Sequence, residues 1–415
     1  MNVTIGGSSL GGKQGPAIRP QPEAPLARRS AIVALLFFLA ATVDLAWEGV
    51  STVSLQRAFP LYALGGFSIL IFGTSRLLIA GMAGRDIAGG SASSASVVIL
   101  AAVGSIGAFF APPDFPEWRL VFALAWSLAA VGHTLVTVLT VRRPPVRPPI
   151  QSEAGPAQRF TIRILEAVSL LYALAAAVML PLAAVGSISL ASSVHVVLVG
   201  FVVVTIMSVA SHILPRFTRA QPSAWAMVPL GPLALVGPGL MAAGLDRWRG
   251  LLPLGALLEG LAFLIFGIAV VHMLVRANRV RLTLLPYALA PVLIGIGGSL
   301  ALVFALWSQA GDQLATHGFL NTFGFVGLMV LGASTDLYAP AMTTGSASAR
   351  RHLAVVLTLA LSGLLIGGLA LATHHETAAR AGVAVFALGI AWQLVGVIAS
   401  HKRADRVVSR LTRKR

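Results

Sequence analysis

An all-α polytopic membrane protein with twelve transmembrane helices is the fold class this sequence predicts, and three observations predict it. Composition is the first. Of 415 residues, 57% are hydrophobic and only 11% charged, with mean hydropathy +0.86, against about 25% charged in a soluble domain. The second is spacing: the apolar residues fall in runs of about twenty, the length of helix that crosses a bilayer. The third is the sidedness of the basic residues. With the N-terminus inside, Arg57, Arg119, Arg247, Arg249 and Arg380 are the five of 30 Lys+Arg on the outer side, which leaves 25 in the tails and inner loops. That is the positive-inside bias of an inner or plasma membrane protein with both termini cytoplasmic.

Residues 1–27 carry Gly, Pro and Ser without an apolar core, so they read as a disordered cytoplasmic tail and not as a signal peptide. The spans then fall at about 30–53, 58–83, 94–112, 117–141, 161–187, 189–214, 222–244, 250–275, 282–308, 315–340, 351–373 and 378–400. The linker VRRPPVRPPIQSEAGPAQRF, 141–160, separates the fourth span from the fifth, and RANRVR, 276–281, the eighth from the ninth. These cuts divide a membrane domain of 28–401 into arcs of about 30–141, 161–276 and 282–401, followed by a basic cytoplasmic tail, 402–415. Four spans per arc is an even number, so the three arcs run parallel around an approximate threefold axis, unlike the inverted repeats of many transporters.

The second helices of the arcs share features. They carry Gly66-Phe67, Gly200-Phe201 and Gly324-Phe325, and the last two end in Pro215 and Pro340. The fourth helices place His133, His272 and His401 toward their inner ends. Among 42 glycines such pairs also arise by chance, so the repeat is an expectation for the structure to decide.

Several function classes are excluded. The net charge of +16 is accounted for by topology and by contact of the tail HKRADRVVSRLTRKR with anionic lipid, which leaves the bilayer and not nucleic acid as partner. The absence of cysteine removes disulfides, thiolate metal sites and iron–sulfur clusters. No Walker, G-x-S-x-G, H-E-x-x-H or Rossmann pattern stands in a credible context.

The candidate site residues are the ionisable groups that a membrane span carries only at a cost of a few kcal/mol. His195, in SVHVVLVGFVVVTIMSVASHILPRF (193–217), and His317 both lie in the outer third of their spans. Counted back from Pro215 and Pro340 they are 20 and 23 residues away (215 − 195 and 340 − 317), on nearly one face; counted from the Gly-Phe pairs they differ by two residues and face apart. Either ligates a haem or metal, or bonds a neighbouring carbonyl or hydroxyl such as Ser192 or Thr316. His212 reads as interfacial, as do His133, His272 and His401, and His374-His375-Glu376 as a solvated outer loop. The loop Asp246-Arg247-Trp248-Arg249 sets two arginines against the charge bias, either as partners for the propionates of a haem or as an interfacial loop with a Trp anchor. Glu259, in mid-span, is the costliest carboxylate; it either takes part in proton conduction with Glu166 or bonds across a helix interface. Asp44 and Glu48, one turn apart, are expected to form an outer cluster with Arg57 and Trp47. Asp336 sits toward the inner face. Tyr62 and Asn321 lie near the level of the histidines, placed for packing or for bonding an iron-bound ligand.

Twelve spans in three arcs, with histidines on second helices and the pattern His195…Gly200-Phe201…Pro215-Arg216, resemble subunit I of the haem–copper oxidases, and the twelve-helix NnrS-like nitric-oxide-response proteins among its divergent members. The resemblance covers the span plan, with sequence motifs on two helices. This chain departs from the oxidases in having no histidine on its second span, a lone His317 on its tenth, and no His-His pair at its seventh, so the copper site is missing as a three-histidine unit. What the resemblance implies is a haem-binding membrane protein without the copper centre, acting in gas binding, gas response or electron transfer. His195 and His317 would then be axial ligands, Arg247 and Arg249 propionate partners, and other respiratory subunits possible partners. The alternative is a haem-free transporter with a polar cavity around Glu259, or a structural subunit of a respiratory complex.

Overall fold

Inside a bilayer each peptide N–H and C=O must find its partner within the protein, and a helix satisfies that need segment by segment. The computed structural model describes residues 24–112, 115–146, 155–277, 282–306, 313–335 and 347–412. Among the described residues there is no strand, and twelve helices are long and apolar enough to cross a membrane. In chain order they are α1 (Pro25–Glu48), α2 (Thr52–Ser75), α3 (Gly90–Phe110), α4 (Pro116–Arg142), α5 (Pro156–Ala184) and α6 (Leu190–Pro215). They continue as α7 (Trp225–Asp246), α8 (Arg249–Val275), α9 (Leu282–Leu306), α10 (Leu314–Ala333), α11 (Ala347–Ala372) and α12 (Glu376–Lys402).

The boundaries fall within a few residues of the predicted spans, with two extensions. The first helix already begins at Ala24, inside the expected tail, and the last continues to Thr412, so the basic tail prolongs α12. Residues 1–23, the linker centre 147–154, Asp336 and Pro340 lie outside the described residues.

The helix starts are written locally. Pro116 and Pro156 stand in the first turns of α4 and α5, where a missing N–H costs nothing. Ser51 caps α2 reciprocally with Ser54: its Oγ accepts from the Ser54 amide at 3.1 Å and its own amide donates to Ser54 Oγ at 2.7 Å. Ser189 caps α6 by accepting from the Ser192 amide at 3.1 Å, and its own amide donates to Asp246 Oδ1 at 2.8 Å. The start of α6 is thereby tied to the end of α7.

Burial separates the helices into an inner and an outer set. The second helices of the arcs, α2, α6 and α10, are 94%, 67% and 72% buried over their apolar windows, against 22–56% for the other nine. All three run in the same direction, since their C-terminal halves converge on one cavity of about 80 Å³ lined by Leu70, Thr74, Thr205, Leu214, Tyr287 and Met329, among others. Aromatic rings join the inner set, with Phe72 and Phe201 at 5.7 Å and Tyr62 and Phe323 at 5.8 Å.

Each inner helix is also π-helical over eight residues in its middle: Pro60–Phe67, Val196–Val203 and Leu320–Gly327. Such segments are rare, and finding one in each arc supports the threefold reading independently of burial. The Gly-Phe pairs lie inside all three. They occupy the fifth and sixth π positions in α6 and α10, and the last two in α2. Of the two registers open from sequence, the π segments therefore select the Gly-Phe one for α6 and α10, in which His317 stands two residues earlier than His195.

In each arc the third and fourth helices cross closely on glycine, as small residues permit in membranes. A Cβ on Gly104 of α3 would lie 2.7 Å from the Trp126 amide nitrogen of α4, and one on Gly255 of α8 2.6 Å from the Met241 nitrogen of α7. In the third arc Gly363 and Gly382 bring the backbones of α11 and α12 together in the same manner. The bundle closes where α1 meets α12. There Arg380 donates to the Trp47 carbonyl at 2.8 Å and pairs with Glu376, while Arg57 holds Asp44 at 2.5 Å and Glu48 at 3.4 Å. Of the expected cluster, Asp44, Glu48 and Arg57 come together, while Trp47 stands 80% exposed.

Candidate functional site

His195 is the last residue before the π segment of α6, and its Nε2 lies 2.6 Å from Oε1 of Glu259 on α8. Their side chains are 12% and 8% exposed. Glu259 reaches this position because α7 opposes it with Gly237, where a Cβ would come within 2.9 Å of the Glu259 Cγ. From α5, Tyr172 lays its ring against Gly200, whose Cβ would stand 2.5 Å from Cδ1, and donates its hydroxyl to the Leu235 carbonyl at 2.5 Å. Tyr172 is close enough to Glu259 to feel its charge.

The third arc supplies His317 and Asn321. His317 Nδ1 lies 2.7 Å from the Gly297 carbonyl of α9, an acceptor only, so Nδ1 carries the proton and donates. Asn321 Nδ2 stands 3.2 Å and 3.4 Å from the two ring nitrogens, and its Oδ1 is buried without a hydrogen-bond partner. His195 and Glu259 both act on His317 electrostatically. Second and third arcs thus build a polar cluster of Tyr172, His195, Glu259, His317 and Asn321 inside an otherwise apolar interior.

The chemistry of the pair follows from charge. With one exchangeable proton, His195–Glu259 is either imidazolium with carboxylate or imidazole with carboxylic acid, and both forms are neutral overall. Loss of that proton leaves a net negative charge in the span, which costs about 2.5–3.5 kcal/mol on insertion scales. A single proton shared between the two groups, 2.6 Å apart, would keep the pair neutral overall.

Sequence reasoning singled out His195, Glu259 and His317 separately; the structure pairs the first two directly and bonds the third to the Gly297 carbonyl. It does so differently from the local bonds considered above: Ser192 donates to the Ala242 carbonyl and Thr316 to Gln313, not to the histidines. Tyr172 gave no signal in sequence. Arg247 and Arg249 lie exposed where α8 begins. Arg247 pairs with Asp246 at 3.4 Å and reaches the Ser187 carbonyl at 3.5 Å. That is beyond Ser189, itself six residues (195 − 189) or about 9 Å of helix outward from His195. Tyr62 packs among Phe59, Phe67 and Phe323.

His133, expected at the membrane interface, is instead buried at 2% exposure with its ring 4.7 Å from Phe72. The cause is the inner position of α2, against which α4 packs. His212 Nε2 lies 3.3 Å from Glu166 Oε1. His374 and His375 are exposed in the loop before α12, and no cluster of three or more potential ligands for a metal ion forms among the described residues.

The residues named for a haem fit it unequally. His317 fits, because a metal-binding histidine has its other ring nitrogen fixed by a carbonyl, and Nδ1 is so fixed. His195 does not fit as it stands, because its Nε2 is engaged by Glu259. Packing against Asn321 is also tight, for a Cβ on Gly297 would collide with Oδ1. Among the described residues the central cavity has no histidine in its lining, and its volume of about 80 Å³ is too small for a macrocycle. No protein-family model matches the chain, and no curated protein matches it either.

Proposed function

We propose that this chain is a proton-coupled membrane transporter whose proton-exchanging site is the His195–Glu259 pair. The observation that carries the reading is the 2.6 Å contact between a buried imidazole and a buried carboxylate on different helices. Groups of this kind within spans mark proton relays and transport pathways. Tyr172, bonded to the Leu235 carbonyl, and His317, bonded to the Gly297 carbonyl, add further polar groups to the same interior. The basic residues support a plasma or inner membrane location with both termini in the cytoplasm.

The test is the infrared difference spectrum of the reconstituted protein across a pH titration. A carboxylic acid band that titrates, shifts in deuterium oxide and is lost in Glu259→Gln is expected. A spectrum with no titrating band assignable to Glu259 overturns the reading.

A second reading is favoured by the Gly297 bond of His317: a haem held through Nε2 of that residue in place of its 3.4 Å contact with Asn321 Nδ2. A bound haem would supply redox and gas-binding chemistry, while His317 would orient it and Gly297 would fix the tautomer. An absorption spectrum of protein expressed with haem supply decides it. A Soret band lost in His317→Ala supports this reading, and a featureless spectrum with no bound iron removes it.

A further inference from the structure

The His195–Glu259 pair has a counterpart at the other end of the same helix. His212 stands 17 residues later on α6 (212 − 195), about 25 Å along an α-helical axis, and its Nε2 is 3.3 Å from Glu166 of α5. Two imidazole–carboxylate pairs thus mark the two ends of one inner helix. The lower pair is the more open, with side chains 19% and 33% exposed against 12% and 8% at the upper.

The side chains between the pairs form a polar seam. On α5, Glu166, Ser169 and Tyr172 recur at intervals of three residues and so share one face. Ser169 and Tyr172 are buried, and Ser169 Oγ donates back to the Glu166 carbonyl at 2.9 Å. On α6, Ser208 lies one turn from His212. It is 2% exposed, and its hydroxyl has no hydrogen-bond partner, although a buried polar atom nearly always has one. A water beside Ser208 would satisfy it. At the upper end the Tyr172 ring covers Gly200 of the π segment, and its hydroxyl is held by the α7 carbonyl of Leu235 near Glu259. Polar side chains thus recur along the seam from one carboxylate toward the other. No serine or tyrosine on it is needed for packing in an apolar bundle, since alanine or phenylalanine would fill the same space.

We propose that the α5–α6 seam is a proton path, in which Glu166 and His212 take up protons at the face bearing the chain termini and deliver them through Ser169, Ser208 and Tyr172 to Glu259. The inference rests on the proton-exchanging reading of His195–Glu259 and adds to it the side from which that site is filled. A proton gained by the lower pair leaves from the upper one, so nothing is oxidised or reduced. Other polar and charged groups around the lower pair are Arg163, exposed one turn before Glu166 on α5, Gln158, which donates to the Ser211 carbonyl at 3.0 Å, and His272 near the same end of α8.

The test uses the full chain in sealed proteoliposomes, with the Glu259 infrared band followed after a pH step applied to one face at a time. In Glu166→Gln and His212→Asn the response to a step at the terminus-bearing face is expected to slow about a hundredfold or more, the lower end of what a positioned acid or base contributes. The response from the opposite face should be unchanged, and Glu166→Asp should restore part of the rate. A merely structural role would slow both faces alike or lower the yield of folded protein. Equal wild-type rates from both faces in the Gln and Asn variants overturn the path and leave the site intact. Absence of a titrating Glu259 band in the wild type overturns the site itself.

Discussion

At the scale of single residues, the buried pair governs both stability and chemistry. Removing one partner of a buried ion pair leaves the other uncompensated, at a cost of about 3–5 kcal/mol. Glu259→Ala should therefore lower the melting temperature in detergent far more than Glu259→Gln, which keeps a hydrogen bond to His195 and sacrifices only the charge, worth about 1 kcal/mol. A double-mutant cycle with His195→Ala separates the pair from its surroundings. The expected result is that the double alanine variant is no less stable than Glu259→Ala alone. Additive losses would show that each residue is held by something other than its partner. Each member was visible in the sequence as an ionisable group in an apolar run. Their pairing was not, because 64 residues separate them and no periodicity relates positions on different helices. Tyr172 was invisible for another reason: an aromatic ring in an apolar helix looks like packing until its hydroxyl is seen to donate to the Leu235 carbonyl of a neighbouring helix.

At the scale of elements, each inner helix combines a regular span with a π segment. The spans were legible because hydropathy and length determine them almost alone. The π segments were not, since an i→i+5 pattern has no compositional signature; the Gly-Phe pairs were their trace. In α6 the glycine has a definite task. The Tyr172 ring occupies the space a side chain at Gly200 would need, and the widened turn presents His195 at its start. Gly200→Ala should therefore destabilise by about 1–3 kcal/mol, as forced overpacking does, and should displace Tyr172 from Glu259. Thermal unfolding measures the first effect. A double-mutant cycle is the sharper observation, because in a Tyr172→Ala background the obstructing ring is gone and Gly200→Ala should cost little further. An undiminished cost in that background would mean that the glycine serves the π backbone and not the ring.

At the scale of the whole molecule, three parallel arcs put three like helices at the centre and distribute the polar groups unequally among them. The first arc brings aromatic rings to its inner helix, around Phe38, Tyr62 and Phe67. The second and third bring histidines. This asymmetry places the polar cluster off the central axis, against α5, α8 and α9, and leaves the axis itself with the small, mostly apolar cavity. The direction in which protons move through such a site depends on which face meets the cytoplasm, and the basic residues supply that orientation. The chain contains no cysteine, so single cysteines report topology without background. Trp248→Cys and His375→Cys place a thiol in exposed loops on the face opposite the termini, and Val146→Cys places one on the terminus-bearing face. In intact cells an impermeant maleimide should label the first two and reach the third only after permeabilisation. The reverse pattern would invert the orientation, and with it the assignment of Glu166–His212 to the cytoplasmic side, while leaving the helices, the arcs and the buried pair as they are. Topology and site chemistry are thus separable properties of this bundle: charge in the loops sets one, and the ionisable groups within the spans set the other.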